Sequence, residues 1–249
     1  MDRCGWKARL AGRGRTLAHL MTFTNLACGF GAILLAFDGY ASYALSLVFL
    51  AGVLDFFDGM LARLAEHASP IGRELDSLAD LVSFGVVPAL LAYQHQWGPP
   101  RMVVGLVCLA FVVGGAWRLA LFNVLEPVRE FRGLPITVAG ALLAALTGLS
   151  WVDEPWPWPV LAMCTLALVF LMVSRVRFVK LSQLLSSLRR RAPEAARLTV
   201  VLSALLTLAI VVVPLPQAVV ALGAIYIVLN LVENRRSHAP PAIQEEPAG

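Results

Sequence analysis

Charge is scarce in this chain. Asp, Glu, Lys and Arg together make up 14% of its 249 residues, and lysine nearly disappears, with two residues against eighteen arginines. An ordinary soluble domain carries about a quarter of its residues as charges, so that class is excluded. Cysteine is also sparse: Cys4, Cys28, Cys108 and Cys164 lie far apart, three of them inside apolar runs. That spacing leaves no disulfide framework and no thiolate metal motif, and packing is the role expected of them. Histidine supplies no ligand set either, because neither His19 nor His67 has a second His at ligand spacing, and both read as interface residues. No nucleic-acid-binding module is visible. The formal charge of +4 and the pI near 9.1 come from loop arginines, which suit an anionic lipid surface.

What the chain does have is apolar sequence: 59% of residues are hydrophobic and the mean hydropathy is +0.75. The expected fold is all-α, a polytopic transmembrane helix bundle. Eight spans are expected, at about 17–37, 41–62, 74–94, 102–123, 136–152, 157–174, 197–213 and 216–232. The first follows a basic stretch, but its apolar part is long and no small-residue cleavage site follows it, so it reads as a retained span. The basic residues fall on one side: Arg3, Lys7, Arg9, Arg13 and Arg15, the link from Arg63 to Arg73, Arg129 and Arg132, the stretch from Arg175 to Arg197, and Arg235 with Arg236. The opposite loops hold Asp38, Arg101, Asp153, Glu154 and little other charge. Both termini are therefore expected in the cytoplasm, as an even number of spans requires. The arginine-for-lysine bias fits a GC-rich prokaryotic genome, and hence a prokaryotic cell membrane.

The domain organisation expected from these patterns is a basic cytoplasmic segment at 1–16, a core at 17–180, an amphipathic cytoplasmic connector at 181–196, a transmembrane hairpin at 197–233 and a disordered tail at 234–249. Phe178, Leu181, Leu184, Leu185 and Leu188 recur at helical spacing ahead of Arg189–Arg191, as in an interfacial helix. The tail is polar, Pro-rich and without a motif.

Against this apolar background one set of carboxylates stands out: Asp55-x-x-Asp58-Gly59-x-x-Ala62-Arg63, eight residues, then Gly72-x-x-x-Asp76-x-x-x-Asp80. A carboxylate near the middle of a membrane helix costs about 2.5 to 3.5 kcal/mol on insertion scales, so four of them call for a cation, a partner or a wet cavity. At about 100° per residue, Asp55, Asp58, Gly59 and Ala62 share one helix face, while Gly72, Asp76 and Asp80 share one face of the next helix. Two such faces can meet across a hairpin. Asp55 lies roughly 12 Å along the axis from Arg63, below the headgroups yet within reach of water. Gly59, Ala62 and Gly72 keep that wall low. Carboxylates suit hard cations such as Mg²⁺ or Mn²⁺, and two such ions about 3.5 to 4 Å apart can clamp both oxygens of a phosphoryl displacement. A proton relay is the other use for buried acids, but it does not call for Gly, Ala and Arg at fixed intervals, and Arg63 points to an anionic phosphate.

The full pattern D-x-x-D-G-x-x-A-R-x8-G-x-x-x-D-x-x-x-D resembles the signature of the CDP-alcohol phosphatidyltransferases at every fixed position. The resemblance implies that Asp55, Asp58 and Asp76 hold two divalent ions on the diphosphate of a CDP-linked lipid. By the same token Asp80 completes the metal shell and deprotonates the acceptor hydroxyl. Gly59, Ala62, Arg63 and Gly72 would shape the nucleotide site; Asn25 either caps a helix contact or touches the nucleotide of the CDP-lipid. Other segments are similar to the phosphatidylserine synthases of that family: Ser77–Ala89, Thr24–Phe30, Arg118–Asn123, Gly133–Pro135 and Leu171–Ser174. Leu121, Thr137 and Ala18-His19 depart from that pattern, which shows Arg, Pro and Pro-Asn there.

The resemblance thus implies an enzyme that attacks CDP-diacylglycerol with the hydroxyl of L-serine, releases CMP and leaves phosphatidylserine in the membrane. Arg118, Asn123 and Arg132 are its candidate acceptor contacts. It also implies a homodimer, and Gly29, Gly31, Gly105, Gly114, Gly115 and Gly140 are small enough for close helix approach. Two other readings stand beside it. The acceptor could be glycerol 3-phosphate, an inositol phosphate or another alcohol, with Arg129, Arg132, Arg175, Arg177 and Lys180 meeting its phosphate. An ion-coupled transporter would instead show inverted repeats or interrupted helices in matching halves, and the sequence shows neither clearly.

Overall fold

The computed structural model describes residues 3–64, 70–94, 101–124, 133–149, 157–174, 219–228 and 230, with side chains from His19 to Asp55 in the first stretch and throughout the others. All regular structure among these residues is helical. The expected seventh span at 197–213, the amphipathic connector and the C-terminal tail lie outside the described residues.

Helix α1 runs from Arg3 to Phe37, so the basic N-terminal stretch continues the first span's helix instead of preceding it. It ends where Gly39 adopts φ 83°, with Tyr40 N–H donating to Leu35 O (2.8 Å) and Gly39 N–H to Ala36 O (3.2 Å). This left-handed cap reverses the chain within three residues and satisfies two terminal carbonyls. Helix α2 (Ala41–Leu64) then packs back along α1. Ala44, Val48 and Ala51 recur at i, i+4, i+7 on its buried face, and Ala32 and Ala36 are buried on α1.

Helix α3 (Pro70–Asp80) passes through a π-helical segment at Leu81–Val86 into α4 (Val87–Gln94), making one continuous rod. The cause lies in Pro88. Proline has no N–H to give the Phe84 carbonyl four residues earlier, and its ring crowds that carbonyl. The ladder shifts by one residue, and Val87 N–H donates to Val82 O. The widened turn meets Gly140 of α6 (Ile136–Gly148), where a Cβ would overlap the Phe84 backbone. On its other flank, Ser83 Oγ donates to Asn25 O (3.1 Å) in the space left by Gly29, four residues after Asn25.

Helix α5 (Arg101–Val124) buries Val104, Cys108, Phe111, Gly114, Gly115 and Leu119 and turns Leu106, Leu109, Val113 and Trp117 outward. A helix apolar on both faces belongs in lipid. Helix α7 (Trp158–Val173) lies against α5. The segment before α6 docks on its end: Leu134 N–H donates to Leu171 O (3.0 Å), and Gly133, at φ 79°, sits where any Cβ would strike the Met172 carbonyl. A last helix, α8 (Val219–Val228), buries Gly223 against Leu142 of α6.

Three of these helices are long and apolar enough to cross a membrane: His19–Phe37, Pro70–Gln94 and Arg101–Val124. Shorter apolar helices are Ala41–Asp55, Ile136–Gly148, Trp158–Val173 and Val219–Val228. The fifth expected span, 136–152, is helical only to Gly148. Its 13 residues rise about 20 Å, less than the ~30 Å of hydrocarbon in a bilayer. The small residues proposed for close approach are used inside the bundle. Gly29 meets Ser83, Gly115 meets Ile136 and Gly140 meets Phe84.

Candidate active site

Asp55 on α2 and Asp76 and Asp80 on α3 converge inside the bundle, each offering a carboxylate oxygen within 4.8 Å of the others. The α-helical period brings Asp76 and Asp80 onto one face of α3, and Asp55 reaches them from α2. Asp80 is the most enclosed, at 7% exposure. Asn25, at 1% exposure on α1, donates its Nδ2–H to Asp80 Oδ1 at 3.4 Å. The same amide's Oδ1 is buried with no hydrogen-bond partner among the described residues. The Ser83 bond to the Asn25 carbonyl fixes α1 against the π-helical turn that follows Asp80, which sets where that amide lies.

Among the described residues, Arg118 of α5 is a positive charge near the cluster, and it interacts electrostatically with Asp80 and with Tyr226 of α8. When ionised, three carboxylates in an apolar interior repel one another strongly, and among the described residues one guanidinium does not balance them. The donor set is all oxygen, its members converge, and the adjoining Asn25 Oδ1 is a buried neutral oxygen. That is the chemistry hard divalent cations select.

Helix α2 continues through Asp58, Gly59, Ala62 and Arg63 to Leu64, but the side chains of these four lie outside the described residues, as does all of Arg132. Gly72 lies in the first turn of α3. Of the acceptor candidates, Arg118 joins the cluster. Asn123 instead ties α5 to α3, donating its Nδ2–H to Glu74 Oε2 (3.2 Å) and to Ser77 Oγ (3.0 Å). Sequence reasoning missed Ser83. Ser83 had a signal, a small hydroxyl residue three positions after Asp80 in an apolar run.

Apolar helices around an enclosed carboxylate cluster define an integral membrane protein whose interior has the ligand set for a metal ion. The chain's residues 15–149 match the family model described as CDP-alcohol phosphatidyltransferase, and the chain belongs to that family. It is 38% identical over 160 residues to the CDP-diacylglycerol–serine O-phosphatidyltransferase of Bacillus subtilis, covering 64% of this chain and 87% of that protein. It is 40% identical over 128 residues to the protein of the same name from Methanocaldococcus jannaschii, covering 51% of this chain and 58% of that protein. It is 38% identical over 137 residues to the archaetidylserine synthase of Methanothermobacter thermautotrophicus, 53% of this chain and 58% of that protein.

Proposed function

We propose that this protein is a CDP-diacylglycerol–serine O-phosphatidyltransferase of a prokaryotic cell membrane, working within a core at residues 17–180 and eight spans, with both termini and the site on the cytoplasmic side. The observation that carries the reading is the convergence of Asp55, Asp76 and Asp80 within 4.8 Å beside Arg118. The extent of the match to the Bacillus subtilis relative supports serine as the acceptor.

Asp55, Asp58, Asp76 and Asp80 would hold two divalent cations, Mg²⁺ or Mn²⁺, which when bound neutralise the diphosphate and ease departure of CMP. Asp80 takes the proton of the serine hydroxyl, and Asn25 holds its carboxylate in place. The freed oxygen attacks the phosphorus that carries diacylglycerol, and the bond from that phosphorus to the CMP oxygen breaks. Arg118, close to Asp80, is placed to bind the serine carboxylate while the hydroxyl reaches the base. From the family's signature, Gly59, Ala62, Arg63 and Gly72 would shape the nucleotide site, and Arg132 would add positive charge for the acceptor. The lipid donor enters sideways from the bilayer, and serine and CMP exchange through the cytoplasmic mouth. A homodimer belongs to the same reading, resting on the family alone, since the bundle's glycines are occupied within one chain.

The test is CMP release by the purified protein from CDP-diacylglycerol with Mn²⁺ or Mg²⁺ and a panel of acceptors: L-serine, glycerol 3-phosphate, inositol phosphate. Release that depends on L-serine is expected. Release only with a phosphorylated acceptor would keep the chemistry and overturn the acceptor.

A further inference from the structure

Among the described residues of α1, Asn25 is the most deeply buried polar side chain, at 1% exposure. Its place is fixed through the backbone: Ser83 Oγ donates to the Asn25 carbonyl at 3.1 Å, and Gly29, one turn further on, leaves room for that hydroxyl. The side-chain amide is used at one end only. Nδ2–H donates to Asp80 Oδ1 at 3.4 Å, while Oδ1 is buried with no hydrogen-bond partner among the described residues. A buried acceptor left unpaired costs stability, and folded proteins pair nearly all of them. The oxygen and nitrogen of one amide are about 2.3 Å apart, so Asn25 Oδ1 lies no more than about 5.7 Å from Asp80 Oδ1. It borders the same space as the oxygens of Asp55, Asp76 and Asp80, which lie within 4.8 Å of one another.

Those neighbours narrow what can serve the amide oxygen. An ionised carboxylate only accepts, so the three aspartates offer Oδ1 no donor. A hydroxyl or N–H group would satisfy Oδ1 and leave the carboxylates repelling one another, whereas a cation serves all four oxygens together. A side-chain amide oxygen is an ordinary ligand for a hard divalent cation, and being neutral it adds a donor without adding another negative charge. We propose that Asn25 Oδ1 is a ligand of the divalent cation held by Asp55, Asp76 and Asp80, supplied by the first helix from outside the aspartate motif, while Nδ2 keeps its bond to Asp80. The inference rests on the cation site of the functional reading above and deepens it. With the ion bound, a single atom ties α1 to α2 and α3.

The probe is Mn²⁺ alone, added to the full-length protein in detergent micelles without substrate. The chain has four asparagines, Asn25, Asn123, Asn230 and Asn234, so labelling asparagine with ¹³C at the side-chain carbonyl introduces few labels. Electron–nuclear double resonance on the bound Mn²⁺ should show a ¹³C coupling in the wild type that vanishes in Asn25→Leu, where the other three labels remain. The Kd for Mn²⁺, from an electron paramagnetic resonance titration, should rise about tenfold or more in Asn25→Leu. Asn25→Asp keeps a ligand oxygen and loses the N–H donor, and it should bind Mn²⁺ at least as tightly as wild type. An unchanged Kd in Asn25→Leu, or weaker binding by Asn25→Asp, would overturn the proposal. So would bound Mn²⁺ with no ¹³C coupling in the wild type, which would leave Asn25 a partner of Asp80 alone; that spectrum decides the matter even if the variants do not fold. A wild type that binds no Mn²⁺ would overturn the proposal together with the cation site. A wild type that binds Mn²⁺ through Asn25 yet ignores serine would sink only the acceptor reading and support the ligand.

Discussion

At a pH high enough to ionise all three carboxylates, neutralising Asp80 should make the metal-free protein more stable, while nearly abolishing its activity. The carboxylate oxygens of Asp55, Asp76 and Asp80 lie within 4.8 Å of one another. At an effective permittivity of about 20, two unit charges at that distance repel by about 3.5 kcal/mol. Two such pairs end on Asp80, and the attraction of Arg118 opposes them. Allowing for that cancellation and for water screening, the net relief in Asp80→Asn is on the order of 1 to 3 kcal/mol. For a chain of this size that corresponds to a rise of roughly 2 to 12 °C in melting temperature. The amide keeps an oxygen for the Asn25 donor, so packing is not the variable. The assay is thermal unfolding in detergent with EDTA, then with increasing Mg²⁺. Wild type should start lower and gain more from Mg²⁺, because a cation offsets the repulsion in the wild type that the mutation has already removed. A variant that melts below wild type in EDTA, with the same gain from Mg²⁺, would refute the idea that these carboxylates form one electrostatic unit.

In the same Asp80→Asn protein, CMP release should fall by about 10² to 10⁴, the usual contribution of a general base, while Mn²⁺ binding measured by electron paramagnetic resonance persists. Asp55→Asn should weaken Mn²⁺ and CDP-lipid binding together, and undiminished binding of both would remove Asp55 from the cation site. Removing divalent metal with EDTA should stop turnover, with recovery on adding Mn²⁺ or Mg²⁺ but not on adding Na⁺. Gly140→Ala should lower stability by about 1 to 3 kcal/mol, because its Cβ meets the Phe84 backbone, which cannot swing aside as a side chain can. A melting temperature equal to wild type would show that the π-helical turn does not rest on α6 as described.

The helical period was enough to place Asp55, Asp76 and Asp80 on facing surfaces, because rigid helices carry side chains where arithmetic puts them. The apolar runs likewise marked the helices that begin at Ala41, Arg101, Ile136 and Trp158 to within a residue or so. The π-helical turn after Asp80 was also written in the chain, as Pro88 four residues beyond Phe84, though a hydropathy reading passes over a single missing N–H. Asn123 could not be assigned from sequence, since its bonds to Glu74 and Ser77 depend on how α5 and α3 cross.

The most direct test of the central claim is transfer of radiolabelled L-serine into chloroform-soluble lipid by the wild type and by Asp80→Asn, with CDP-diacylglycerol and Mn²⁺ present. The account predicts labelled phosphatidylserine from the wild type, one CMP released per lipid formed, and almost none from the variant. Unlabelled lipid with the wild type, or equal labelling by both proteins, would contradict it.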